Sequence, residues 1–496
     1  MKQVVQNQSI IYSIINYFGA FIGVFSTLYI YPSDLNLYGL YGFLTNTASL
    51  LTPFITLGFG SVLLRYFPYF ENRSNGHGGF FFFILSGYGI GILCFSIIFI
   101  GTLPWLKSFF PEDTSDISNY FIYLLPLTIL YVIFELFSTY CTNYKRIVIP
   151  TLLSNSMKIL LPVLFILALR HYINTSQFIY AILGYYCCII GVVIMYLYHE
   201  RLLFMRPNIK IFTHPMRHQM VVFALYSILG GASAIIALRI DTLMISSIMG
   251  TAANGSFILA VFMSNVCYIP ALAITEILNA PVATVSKEKN LAGVLSYYKK
   301  STVNMLIPTL WLALILFISF DSLAMIMPNT STIVTIKMSL GLLLIARIVD
   351  AGTGINSHIL SFSKYYKLEL YLLICLAILN VMFNWFLIPI YGITGAALGT
   401  CLSVIVFNIA KTFLIYNTMN IHPFDSKIVL LLSIGLVMLI FNYCIPNLEY
   451  PYFNIAFKCI LGSILFFSAV FYYRISPELE QLLLSKWKQL GNRVGW

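Results

Sequence analysis

The chain reads as an all-α, polytopic membrane protein with about 14 transmembrane helices, and three observations predict it. Hydrophobic residues make up 59% of the 496 and charged residues only 9%, too few to solvate the surface of a water-soluble protein of this size. The apolar residues fall into long uninterrupted runs, most of them 20 to 28 residues, and a helix needs about 20 apolar residues to cross a bilayer. Lysine and arginine concentrate in every second link between those runs, the pattern that sets membrane orientation.

In chain order the runs lie at 9–31, 38–66, 79–104, 118–141, 147–169, 175–198 and 219–246. The second set lies at 253–281, 301–320, 334–360, 366–389, 393–416, 427–446 and 451–474. Only Lys2 precedes the first run and no small-residue cleavage site follows it, so it reads as a retained span and not a signal peptide. Breaker residues punctuate the links: Tyr31-Pro32-Ser33-Asp34, Asn75-Gly76-His77-Gly78-Gly79, Met327-Pro328-Asn329 and Ile445-Pro446-Asn447. The two sets of seven echo each other. Gly39-Leu40-Tyr41 opens a run with Pro53 fourteen residues on, and Gly255-Ser256-Phe257 opens another with Pro270 fifteen residues on. Duplicated helical bundles are the usual architecture of alternating-access transporters.

Of the 28 Lys and Arg, 20 fall on the side shared with the N-terminus and three on the other: Lys107, Arg170 and Lys337. Both termini are therefore expected in the cytoplasm. The net charge of +11 is accounted for by this asymmetry, and no nucleic-acid partner is expected. The predicted organisation is a six-helix lobe over 1–198, a basic linker at 199–218 and a second six-helix lobe over 219–416. Two further helices follow at 427–474, then an amphipathic cytoplasmic tail at 476–496 with Leu479, Leu482, Leu483, Trp487 and Leu490 on one face. The linker's Arg201, Arg206, Lys210 and Arg217 suit a segment lying on anionic headgroups.

Five cations stand inside the runs: Lys158, Arg239, Arg347, Lys411 and Lys458. Each costs several kcal/mol against lipid, so each must face a wet cavity, find a partner or snorkel to a headgroup layer. Lys158 is near mid-depth beside Asn155 and Ser156. Arg347 has Asp350 three residues on, close enough on a helix for the two to neutralise each other. Arg239 and Asp241 are two apart, so each needs its own partner. Lys411 and Lys458 lie near span ends, where snorkelling competes. Arg65, in Leu64-Arg65-Tyr66, fits a substrate contact and an interfacial anchor equally. The candidate cationic, substrate-binding set is Lys158, Arg239, Arg347, Arg65 and Lys411. Glu135, Asp241, Glu276 and Asp350 are candidates for proton or sodium coupling, with the plainer role of counter-ion open to each; Glu135 stands within reach of Lys158's depth.

Enzyme signatures are missing: there is no H-E-x-x-H, P-loop or G-x-S-x-G, and the longest outer link is about a dozen residues. The nine cysteines form no C-x-x-C and read as packing residues. No catalytic residue, metal or cofactor is expected.

Asn384-Trp385-Phe386-Leu387-Ile388-Pro389-Ile390-Tyr391-Gly392-Ile393-Thr394-Gly395-Ala396-Ala397-Leu398-Gly399-Thr400 is similar to the link between the eleventh and twelfth helices of Wzx-type polysaccharide or O-antigen flippases. These belong to the multidrug/oligosaccharidyl-lipid/polysaccharide (MOP) exporter superfamily. Arg239-Ile240-Asp241-Thr242-Leu243-Met244, then Gly250 and Gly255-Ser256-Phe257, resembles the passage between the seventh and eighth helices, and Pro270 and Pro281 match prolines of the eighth. The resemblance spans the whole chain. It implies two pseudo-symmetric lobes around a central cavity plus two C-terminal helices, in a bacterial cytoplasmic membrane. It also implies an undecaprenyl-pyrophosphate-linked oligosaccharide as substrate, an O-antigen or capsule repeat unit carried from the inner to the outer leaflet. Membrane lipids, a polysaccharide polymerase and chain-length proteins are the expected partners. The alternatives are an ion-coupled multidrug antiporter of the same superfamily, a peptidoglycan-precursor flippase and a membrane polymerase acting on the same sugars.

Overall fold

The computed structural model describes residue 15 and residues 18–71, 76–108, 115–204, 215–442 and 448–476. The start of the first predicted span, the centre of the basic linker and the amphipathic tail lie outside the described residues. What is described is helical, with no strand among the described residues. Hydrocarbon offers no partner to a backbone N–H or C=O, so helices, which satisfy their own, are what an apolar chain of this kind must build.

The helices are α1 (Phe18–Ser33), α2 (Leu35–Ile55), α3 (Phe59–Phe70), α4 (Phe80–Ser108), α5 (Ser115–Tyr120), α6 (Leu124–Asn143), α7 (Val148–Leu169), α8 (Thr175–His199) and α9 (Arg217–Met249). They continue as α10 (Thr251–Lys287), α11 (Leu291–Ile326), α12 (Thr330–Thr335), α13 (Lys337–Gly352), α14 (Asn356–Ser361), α15 (Tyr366–Tyr391), α16 (Ile393–Met419), α17 (Ser426–Phe441) and α18 (Pro451–Tyr472). Among the described residues ten helices are long and apolar enough to cross a membrane alone, and the count is eleven when α2 and α3, bent by 53° at their break, are taken as one span. The described part of the run at 9–31 is α1, the run at 427–446 contains α17, and the run at 334–360 is divided among α12, α13 and α14. The protein is a multi-pass membrane protein, and its outer faces agree: Ile97, Ile277, Ile390 and Val429 are all more than two-thirds exposed, a surface that suits lipid and not water.

Local chemistry sets the helix ends. Asp34 caps α2 by accepting from the Leu37 N–H at 2.9 Å. Asn174 and Gln177 form a reciprocal capping box at the start of α8. The bend between α2 and α3 runs through Leu57 and Gly58, both at positive φ. A side chain at Gly58 would also strike the Ala224 carbonyl of α9, so only glycine fits the corner.

The chain forms two compact units. The first comprises Met1–Ile258 with Asn380–Ile393, and the second Leu259–Leu379 with Thr394–Trp496. The divisions fall inside α10, inside α15 and at the first residue of α16. In the first unit α9 packs along α2, and a core of Phe67, Phe80, Phe81, Tyr140 and Val193 ties α3, α4, α6 and α8 together. Tyr140 stacks on Phe81 at 4.0 Å and donates to the Leu202 carbonyl at 2.9 Å, so its hydroxyl is buried at no cost. In the second unit α11 is the central helix, packed by α13, α17 and α18 around Leu306, Leu310, Leu431 and Phe466.

The Gly-x-aromatic echo is a contact. Asn254 donates to the Gly39 carbonyl at 2.8 Å and Thr251 donates to Asn36 at 3.0 Å. A methyl on Gly39 would lie on the Thr251 carbonyl, and one on Gly255 on the Leu35 carbonyl. The first turns of α2 and α10 cross backbone to backbone, within the first unit, as small residues permit between membrane helices.

Candidate functional site

Polar side chains inside apolar helices are costly unless paired, so their pairings mark where this chain spends stability on something other than packing. In the first unit the cluster centres on α9. Arg239 donates from Nη1 to Asn46 Oδ1 of α2 at 2.7 Å, and Asn46 Nδ2 faces Thr242 Oγ1 at 3.4 Å. Asp241, about 200° round the helix from Arg239, points instead to α15, where the Asn384 amide donates to its Oδ1. Asn384 also donates to Asn380 Oδ1 at 2.9 Å, and Asn380 donates to the Ala237 carbonyl at 3.0 Å. Asn380 and Asn384 are one turn apart on α15, as Ala237 and Asp241 are on α9, so the two helices meet along a ladder of amides. Asp241, Asn380 and Asn384 are only 5%, 1% and 0% exposed, and Asn384 Oδ1 has no hydrogen-bond partner among the described residues.

The second unit holds a longer network. Arg347 of α13 donates from Nη2 to Asn265 Oδ1 of α10 at 2.5 Å and lies over the Tyr268 ring at 5.4 Å. Asp350, one turn on, accepts from Asn408 Nδ2 at 3.2 Å. Asn408 Oδ1 in turn accepts from Thr353 Oγ1 at 2.8 Å and Asn356 Nδ2 at 2.9 Å. Lys411, one turn after Asn408 on α16, donates to Ser357 Oγ and pairs with Glu369 Oε1 at 3.3 Å, with Phe407 under its ammonium at 3.8 Å. Lys411 is 3% exposed.

The sequence candidates therefore separate. Arg239 and Asp241 share a helix but face different partners. Arg347 and Asp350 do not form an ion pair with each other; each is taken by an asparagine. Lys411 does not snorkel but closes a buried ion pair. Lys158 is exposed on α7, its stem passing over Gly19 of α1, and forms no ion pair with Glu135. Glu135 keeps one buried oxygen, Oε2, with no hydrogen-bond partner among the described residues. Arg65 lies over Phe223 at 4.3 Å, the posture of an aromatic-backed anchor. Glu276 is exposed on α10. Lys458 is buried in α18. No group of three or more His, Cys, Asp or Glu is arranged to hold a metal among the described residues.

Sequence reasoning missed the partners: Asn46, Asn265, Asn380, Asn384, Asn408 and Glu369. A signal existed for two of them. Asn380 and Asn384 repeat at a helical turn in an otherwise apolar run.

This architecture, apolar helices with polar and charged side chains partnered inside each unit, defines a polytopic membrane fold. Neither a family model nor a curated protein matches the chain. Among solved structures, it is similar to the lipid II flippase MurJ in an inward closed conformation, at 14% identity, covering 94% of this chain and 99% of that one, TM-score 0.76. It is also similar to an inward-facing multidrug resistance MATE family transporter of the MOP superfamily, at 15% identity over 82% of this chain and 93% of that one, TM-score 0.61. A MOP superfamily transporter from Pyrococcus furiosus matches at 13% identity over 83% of this chain and 92% of that one, TM-score 0.52. The fold is the one these MOP transporters share.

Proposed function

We propose that this chain is a flippase carrying an undecaprenyl-pyrophosphate-linked oligosaccharide, an O-antigen or capsule repeat unit, from the inner to the outer leaflet of the cytoplasmic membrane by alternating access. The observation that carries this reading is the pairing of the arginines. Arg239 and Arg347 are each held by a neutral asparagine carbonyl and not by a carboxylate. An amide fixes a guanidinium in place while leaving its positive charge and most of its N–H donors available. A pyrophosphate, anionic and rich in acceptors, is the ligand such a fork recognises best. Lys158, exposed and in no ion pair among the described residues, adds a third cation to the set. The similarity to a lipid II flippase is a similarity of fold to a protein that handles a lipid-linked substrate, and supports the same class.

Asp241 takes the coupling role in this reading: its carboxylate and the Asn380 and Asn384 amides bring oxygen donors together, the ligand type that a proton or sodium ion prefers. That acidic ladder also favours one other reading, an ion-coupled multidrug antiporter. The test is a reconstituted flipping assay with a fluorescent lipid-pyrophosphate oligosaccharide in liposomes. Arg239→Gln and Arg347→Gln should each lower the rate about tenfold or more, in keeping with the strength of charge-assisted contacts. Undiminished flipping in both would refute the cationic-site assignment. Ethidium efflux with no lipid movement would establish the antiporter instead.

A further inference from the structure

A separate recess of about 400 Å³ lies in the first unit where α6 ends and α7 begins. Its lining combines five hydroxyl residues, Ser138, Thr139 and Thr142 from α6 and Thr151 and Ser154 from α7, with the apolar Phe134, Ile147 and Pro150. The lipid-suited residues of α7 lie elsewhere on that helix: Leu152, Ile159, Val163 and Ile166 are all strongly exposed and none lines the recess. Hydroxyl residues gathered in one concavity of an apolar helix pair suit a polar ligand better than hydrocarbon.

The hydrogen bonds say what kind of ligand. Thr142 Oγ1 donates to the Ser138 carbonyl at 3.1 Å, Thr151 Oγ1 to the Ile147 carbonyl at 2.7 Å, and Ser154 Oγ to the Thr151 carbonyl at 3.0 Å. With those protons committed to their own helices, the three oxygens present lone pairs to the recess. Ser138 Oγ is buried and has no partner among the described residues. A phosphate or carboxylate brings only acceptors and would meet the lone pairs of these hydroxyls. A ligand with many O–H or N–H donors is the complement. Hydroxyls spaced one helical turn apart stand about 5–6 Å from their neighbours, a spacing that ring hydroxyls span, and the Phe134 ring offers a flat apolar surface for the C–H face of a pyranose. The volume lies within the range of small-ligand sites, about 300–1,000 Å³.

We infer that this recess is a saccharide subsite, which recognises the hydroxyl face of a sugar ring on the transported lipid. The inference rests on the flippase reading and adds where the glycan, as distinct from the pyrophosphate, is held.

The experiment compares the full-length wild type with a Ser138→Ala, Thr139→Val, Thr151→Val variant, both in lipid nanodiscs. Valine keeps the shape of threonine while removing the hydroxyl. Binding is measured for undecaprenyl pyrophosphate, for undecaprenyl-pyrophosphoryl-N-acetylglucosamine, for undecaprenyl-pyrophosphoryl-galactose, for phosphatidylglycerol and for tetraphenylphosphonium. Wild type should hold at least one sugar-bearing lipid about tenfold more tightly than the bare pyrophosphate, and the variant should bind both alike, as loss of several neutral hydrogen bonds predicts. Retained binding of the bare lipid shows that the variant is folded. A wild type without sugar preference, or a variant that keeps it, overturns the subsite. A variant that loses tetraphenylphosphonium alone makes the recess a cation site and overturns it too. A wild type that does not prefer any pyrophosphate lipid over phosphatidylglycerol overturns the flippase reading, and the subsite with it.

Discussion

In the first unit the arginine at position 239 rests on an asparagine carbonyl and the aspartate at 241 receives an asparagine amide. In the second unit Arg347 rests on Asn265 in the same way, but Lys411 meets Glu369 as a true ion pair, sealed from solvent and wedged over Phe407. The difference separates two uses of charge in an apolar interior. An ion pair cancels itself and offers nothing to a third party. A charge held by an amide is positioned and still available. Lys411, one of the candidate substrate-binding cations on sequence grounds, is thus better suited to holding α14, α15 and α16 together than to meeting an anion.

That comparison breaks most visibly at Glu369. Removing one partner leaves Lys411 buried without its counter-charge, so Glu369→Ala should cost about 3–5 kcal/mol, read as a fall in the thermal midpoint of protein in detergent. The double variant Lys411→Met, Glu369→Leu should recover most of that loss; a double variant as unstable as the single would mean that the pair also serves the Asn408 network. Next in size is the helix crossing. Gly39→Val drives a side chain into the Thr251 carbonyl and should cost about 1–3 kcal/mol through overpacking, whereas Gly89→Ala, with nothing near its added methyl, should leave the midpoint unchanged.

The amide clamps are sharpened by turning them into ion pairs. Asn46→Asp and Asn265→Asp give each arginine a carboxylate, which should leave stability within about 1 kcal/mol for such exposed pairs while lowering flipping nearly as far as the Arg→Gln variants. Flipping unaffected by both would show that the arginines need no spare charge. The smallest effect is expected at Arg65: Arg65→Lys keeps the charge and weakens the stacking on Phe223, and should change the transport rate less than about threefold, since exposed cation–π contacts contribute only about 0.5–1 kcal/mol.

Much of the fold was legible in the sequence because a bilayer imposes a simple rule. Each of the fourteen apolar runs has a helical counterpart among the described residues, because an apolar run of that length has no other way to bury its backbone. Its subdivision was less legible. The break inside 334–360 depends on backbone turns at Thr353 to Ile355, and that run holds no proline to announce them. The pairings were least legible. Whether Asp350 neutralises Arg347 or turns to Asn408 depends on which helix lies alongside, a fact set by packing between distant segments. Lone asparagines in apolar runs carried that information, but an asparagine names no partner until the neighbouring helix is placed.

The crossing of Gly39 with Gly255 has one more consequence. Two copies of a duplicated segment ordinarily drift apart in peace, each answerable to its own surroundings. Here the two echoing segments are each other's surroundings, so a change in either is felt at once by the other. A chimera that joins residues before the linker from this chain to a second half from a relative would inherit a mismatched joint at that spot, whatever the merits of its two parents.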